Sequence, residues 1–109
     1  MKDAIVIDMK KRFGSFLANG TLAAAFCIND IIPNLKAGKN IIIDMNGIEN
    51  MTDSFGNAFI ANMVKSNGDL FFKQVKFANC TDTMKVLVSL AVRFGKILQS
   101  EAGNSLIHV

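Results

Sequence analysis

Tryptophan and tyrosine are absent from the 109 residues, proline and histidine occur once each, and cysteine occurs twice. Each scarcity removes a class of chemistry. The lone imidazole, His108, is the next-to-last residue, and without it no Ser/His/Asp or Cys/His catalytic set can be assembled. Zinc lacks its His and Cys ligands, and the scattered carboxylates show no calcium-loop spacing. Cys27 and Cys80 are expected to be reduced, mostly buried thiols, in keeping with the cytosol. No phosphate-cradling G-x-x-x-x-G-K-[ST] loop occurs. Asp44 ends a strand as a phospho-accepting aspartate would, but it lacks an acidic pair on an earlier strand, where Asp8 stands alone. No apolar run approaches the ~20 residues needed to cross a bilayer. The N-terminal MKDAIVIDMKK has too short an apolar centre for a signal peptide and carries Asp3 and Asp8. These absences predict a cytoplasmic, non-enzymatic protein with no membrane segment, no metal and no cofactor.

What is present is core material. Half of the residues are apolar and nine are phenylalanine, enough for one folded domain. Twelve basic against nine acidic residues leave a net charge of +3. That is too weak to imply nucleic acid, and the one basic cluster, Lys10-Lys11-Arg12, is expected to be a solvated loop.

Read along the chain, Ala4 to Asp8 is a strand, and Phe13 to Leu17 holds a turn into a second short strand. A helix follows from Asn19 or Thr21, with Leu22, Ala25, Phe26, Asn29 and Ile32 on one face, ending between Asp30 and Gly38. Ile41-Ile42-Ile43 reads as a strand buried on both sides, stopped by Asp44. A turn at Asn46-Gly47 leads to a second helix from about Asp53 to Ser66, with Phe55, Phe59, Ile60, Met63 and Val64 inward. Asn67-Gly68 signals its stop, leaving Leu70-Phe71-Phe72 in a connector before a strand over Gln74 to Asn79. Thr81-Asp82-Thr83 caps a third helix, with Met84, Leu87, Val88, Ala91, Phe94 and Leu98 inward and Val86, Leu90 and Ile97 on another side. The tail from Gly103 reads as frayed or as an edge strand. This order predicts a single α/β domain, a mixed, mostly parallel sheet of about four strands covered by about three helices.

In such a fold the functional edge lies where strands end and helices begin, which gathers Asp44, the loop to Thr52, Asp53, Ser54, Asn79, Thr81 and Asp82. Ser54 has two readings. A serine in the first turn of a helix can cap it, contributing about 1 kcal/mol. The same place offers unpaired N–H groups and the positive end of the helix dipole, so a phosphate there would be stabilised and would change the surface charge beside Asp53.

Ile41-Ile42-Ile43-Asp44, then Gly47-Ile48, then Thr52-Asp53-Ser54-Phe55 resembles the STAS-like domains of unknown function. Their parent group is the STAS domain of sulphate transporters and anti-sigma factor antagonists, where Asp-Ser heads the corresponding helix. The resemblance takes in Lys36-Ala37-Gly38-Lys39, Val75 to Asn79 and the last helix, and covers roughly residues 13 to 100. It implies a regulatory protein-interaction module. By that resemblance Ser54 is a phospho-acceptor, and Asp44, Thr52, Asp53, Ser54 and Phe55 form the partner-contact surface. The partner it implies is a kinase-like ATPase or an anti-sigma-type regulator.

A small-ligand or nucleotide-binding domain using the same strand-end edge is the alternative. Self-association into a homodimer through Phe71-Phe72 or Val86, Leu90 and Ile97 is a further expectation, because the last helix is apolar around more than one face.

Overall fold

The computed structural model describes residues 4 to 108, and the side chains of residues 4 to 100. Strands form at the apolar runs: β1 (Ala4–Asp8), β3 (Asn40–Asp44) and β5 (Val75–Ala78) make one sheet in the order β1-β3-β5. Both pairings are parallel, with Ile5 beside Ile41 and Ile41 beside Val75. Two shorter strands, β2 (Phe16–Leu17) and β4 (Asn50–Met51), pair parallel as a separate two-residue ladder. The strands among the described residues are therefore all parallel, five in two sheets, which agrees with the expected α/β domain of about four mostly parallel strands under helices.

Parallel neighbours need helical crossovers. The first is α2 (Gly20–Phe26), a π turn over Cys27–Ile31, and α3 (Ile32–Lys36). The second is α4 (Asp53–Gly56), a π turn over Asn57–Ala61, and α5 (Asn62–Gln74). The last helix, α6 (Asp82–His108), packs across them, and a short α1 (Met9–Phe13) follows β1. Lys10, Lys11 and Arg12 are thus helical and exposed, not in a loop: Asp8 caps α1 by accepting from Lys11 N. Among the described residues no helix is long and apolar enough to cross a membrane.

The helices lie against one face of the sheet only. Ile41 and Ile43 of β3 are fully buried, while Ile42 between them is half-buried. In register with Ile42 are Val6, 62% exposed, and Lys76, also exposed. The central strand is therefore not covered on both sides. Its three isoleucines are supplied to one helical layer and one open face.

The core under the helices is aromatic. Phe13 stands edge-on to both Phe26 and Phe55, with centroids 5.2 Å apart in each pair, and Phe59 closes the group beside Phe26 and Phe55. Such pairs add about 0.5–1.5 kcal/mol each beyond area burial. Phe55, Phe59, Ile60, Met63 and Val64 are all buried, as the helical spacing from Asp53 predicts.

Three helical details depart from the sequence pattern. The buried face of α2 and its π turn is Ala23, Phe26, Cys27 and Ile31, whereas Leu22, Ala25 and Asn29 are exposed. The π turn adds a residue and rotates the next stretch of helix about its axis. It also lets the helix run past Pro33, at the second position of α3, to Lys36, where Gly38 at φ 83° ends it. Asn67-Gly68 does not stop the second helix. Asn67 leaves helical geometry (φ −138°, ψ 41°), making a kink, and α5 resumes to Gln74 with Phe71 buried. Gln74 is the one buried polar side chain described, and its amide donates to Leu35 O and Lys39 O, both at 2.9 Å. The tail, expected to fray or form a strand, continues α6 through His108; Val109 and the side chain of His108 lie outside the described residues.

The approach of α6 depends on Gly95. A Cβ there would lie 2.7 Å from Ala61 O and 2.7 Å from Val64 Cβ, closer than packed atoms allow. Gly95→Val is expected to destabilise the fold by about 1–3 kcal/mol, the usual cost of overpacking. Urea denaturation followed by circular dichroism measures it; an unchanged midpoint would contradict the close crossing.

Candidate partner-contact site

The site begins at the end of β3. Asp44 accepts hydrogen bonds from Asn46 N at 3.0 Å and from Asn79 Nδ2 at 2.9 Å, which ties the ends of β3 and β5 together. Asn79 stands at φ 60°, a left-handed conformation that asparagine tolerates better than most residues. The Asn79 amide first, then the Asn46 N–H, holds the Asp44 carboxyl below the ordinary carboxylate range. The chain then turns through Met45–Ile48, with Ile48 N donating to Met45 O and Gly47 at φ 82° under the Lys10 side chain. Met45 and Ile48 are buried, which anchors the turn to the core.

Glu49 N donates to Ser15 O and Thr52 N to Leu17 O, each at 2.8 Å, so the β2–β4 ladder delivers the chain to the head of α4. Thr52 is the N-cap. Its hydroxyl accepts from Phe55 N at 3.1 Å and donates to Ala18 O at 3.1 Å. The capping duty is therefore not Ser54's. Asp53 and Ser54 are the first two residues of α4 and both are exposed.

Ser54 abuts the start of another helix. A Cβ on Gly20, the first residue of α2, would lie 2.3 Å from Ser54 Oγ and 3.0 Å from Ser54 O. Asn19 caps α2 by accepting from Leu22 N. Two helix starts, each closed by its own cap, thus meet at the serine. On the other side of α4 a groove of about 240 Å³ separates it from α6, lined by Thr52, Asp53 and Asn57 on one wall and Leu87, Leu90 and Phe94 on the other.

Of the five residues expected on the partner-contact surface, the structure places Thr52, Asp53 and Ser54 together at the exposed head of α4. Phe55 is a correction. It is fully buried among Phe13 and Phe59, because the third helical position points into the core. Asp44 shares the strand-end edge but bonds to Asn46 and Asn79, not to Thr52 or Ser54. Gly20, Leu90 and Phe94 also border the site, and the sequence does not place them there. Surplus apolar residues on the last helix are visible in it, but their place beside Asp53 depends on the crossing of α6 over α4. Among the described residues no group of three or more potential metal ligands forms.

A small domain of parallel strands with helical crossovers and a capped, hydroxyl-bearing helix start is the class defined by this geometry. The family model described as a STAS-like domain of unknown function matches residues 27–85, from the first π turn through β3, α4 and β5 to the start of α6, and the chain belongs to that family. The match is narrower than residues 13 to 100 and includes Thr52, Asp53 and Ser54. Comparisons with curated proteins and with solved structures find no match.

Two outcomes test the site as built. Thr52→Ala removes both the cap and the bond to Ala18 O and is expected to cost about 1–2 kcal/mol, whereas Ser54→Ala stays within about 0.5 kcal/mol, as exposed sites do. Equal losses in thermal denaturation would mean that Ser54 shares the capping. Asp44, with its carboxyl pKa lowered by folding, contributes stability that is present above the unfolded value and lost as pH falls through the folded one. Asn79→Gly keeps the left-handed backbone and removes the amide, so the Asp44 midpoint in a carboxyl NMR titration is expected to rise toward the ordinary value. An unmoved midpoint would remove the amide as the cause.

Proposed function

We propose that this chain is a non-enzymatic regulatory module that binds another protein through the head of α4, with Ser54 as a phospho-acceptor that switches the contact. One observation supports it most: Thr52 does the capping, which leaves Ser54, an exposed residue beside Gly20 at the second position of a helix, without that duty. A phosphate on the Ser54 oxygen meets the positive end of the helix dipole. It adds close to two negative charges beside Asp53, enough to change which partner surface fits.

The resemblance to anti-sigma factor antagonists supplies the class of partner, a kinase-like ATPase or an anti-sigma-type regulator. The alternative of a nucleotide or small ligand at the same edge has weaker support. The groove beside Asp53, about 240 Å³, falls below the ~300–1,000 Å³ of ordinary ligand pockets; a hollow of about 540 Å³ at the end of β5 has the volume but offers Lys85 as its one charged lining residue.

The test is incubation with ATP and a kinase-like ATPase encoded beside the gene, followed by mass spectrometry and a pull-down. The expected outcome is one phosphate, on Ser54, absent in Ser54→Ala, and a complex that Ser54→Asp weakens at least about tenfold, or 1.4 kcal/mol. No phosphate and no complex would end the reading. A complex without phosphorylation would leave a binding module and remove the switch.

A further inference from the structure

The outward flank of α6 carries four large apolar side chains that stay exposed among the described residues. Val86, Leu90, Phe94 and Ile97 are 58%, 53%, 41% and 47% exposed. At about 100° per residue they fall within roughly 80° of arc, one continuous stripe about 17 Å long. Other exposed apolar side chains, such as Val6 on the sheet and Ile28 on the first π turn, belong to separate elements. A stripe of this kind on a soluble domain marks a contact surface.

Its two borders carry opposite charge. On one side lies the groove to α4, where Asp53 and Asn57 face Leu87, Leu90 and Phe94. On the other side, some 20–40° of arc beyond Val86 and Ile97 by the same spacing, comes Arg93, which is exposed. Arg93 lies between Leu90 and Phe94 in sequence, the two stripe residues that line the groove with Asp53. The next cation, Lys96, is turned further round and lies over the Phe72 ring, 4.9 Å from its centroid.

From this arrangement we infer that the α6 stripe is a homodimer interface in which a second copy's α6 lies parallel to the first. A two-fold axis along the helix direction exchanges left and right. It therefore sets Asp53 of each copy against the Arg93 border of its partner and stacks the two stripes between two charge pairs. The antiparallel arrangement brings Asp53 toward Asp53 and Arg93 toward Arg93, so charge selects the parallel one. The result is an isologous, closed contact. The dimer shares Asp53 with the proposed partner surface but does not rest on that reading, and its test needs neither kinase nor ATP.

Sedimentation equilibrium of the full chain across micromolar concentrations should show mass rising from 11.9 kDa toward twice that value. Leu90→Glu should hold the protein at the monomer mass with an unchanged circular dichroism spectrum. Asp53→Arg and Arg93→Asp should each weaken the dimer by about tenfold or more, in the range of close interfacial charge pairs, and the double variant should recover most of that loss. Arg93→Asp lies on an exposed position of α6, so it tests the interface even if Asp53→Arg disturbs α4. Monomer mass at every concentration overturns the proposal. So does a dimer indifferent to Leu90→Glu, which would place the contact elsewhere, such as the free edge of β1. A double variant no tighter than the single ones overturns the parallel pairing.

Discussion

The position of Ser54 depends on Thr52. Its N–H is held by Leu17 O, its hydroxyl proton by Ala18 O, and its hydroxyl lone pair by Phe55 N. Three bonds from one residue fix where the chain leaves β4, where α4 begins and how both sit on β2. Phe55 then drops into the aromatic cluster and locks the helix from below. With the third helical residue buried and the cap occupied, the first two have only solvent and the start of α2 to face. The surface is set by what its neighbours are committed to.

A second constraint runs through the core. The two π turns come together where the Cys27 thiol donates to Phe59 O at 3.8 Å, a weak bond added to the one that this carbonyl accepts from Asn62 N. Burial pushes the Cys27 thiol up to about 11, so it stays protonated and able to donate. Gly95 brings α6 onto the same turn. The wide turns, the thiol and the missing side chain are parts of one packing solution. The two crossovers and the last helix meet there at close range.

Much of this is legible in the sequence, and the failures have physical causes. The three main strands, the turn at Gly47, the helix start at Asp53 and the cap at Thr81 follow from local residue chemistry. The inward face of the second helix is readable because Phe55, Phe59 and Met63 keep their spacing through the π turn. The face of the first is not, since periodicity assumes 3.6 residues per turn and Cys27–Ile31 does not keep it. The short β2–β4 ladder has half a signal: Phe16-Leu17 is visible, but Asn50-Met51 has no strand pattern and pairs because of where the ends are held. Asn67-Gly68 has the chemistry of a stop, yet Leu70 and Phe71 gain more by packing onto the core as helix. At the site, the triad Thr52-Asp53-Ser54 is legible as a group of cap formers. Which of them caps is not, because the choice is made by Ala18, 34 residues earlier.

The contact between Gly20 and Ser54 reaches beyond one structure. Two positions far apart in the chain share a single small volume: a hydrogen at 20 leaves room for a hydroxyl at 54. Residue 20 is therefore not free to grow while residue 54 keeps its place. A lineage that enlarges residue 20 must re-aim or shorten residue 54, and even alanine at 54 leaves its carbonyl oxygen 3.0 Å from any new Cβ at 20. Covariation between these two positions is the mark that such a shared volume would leave.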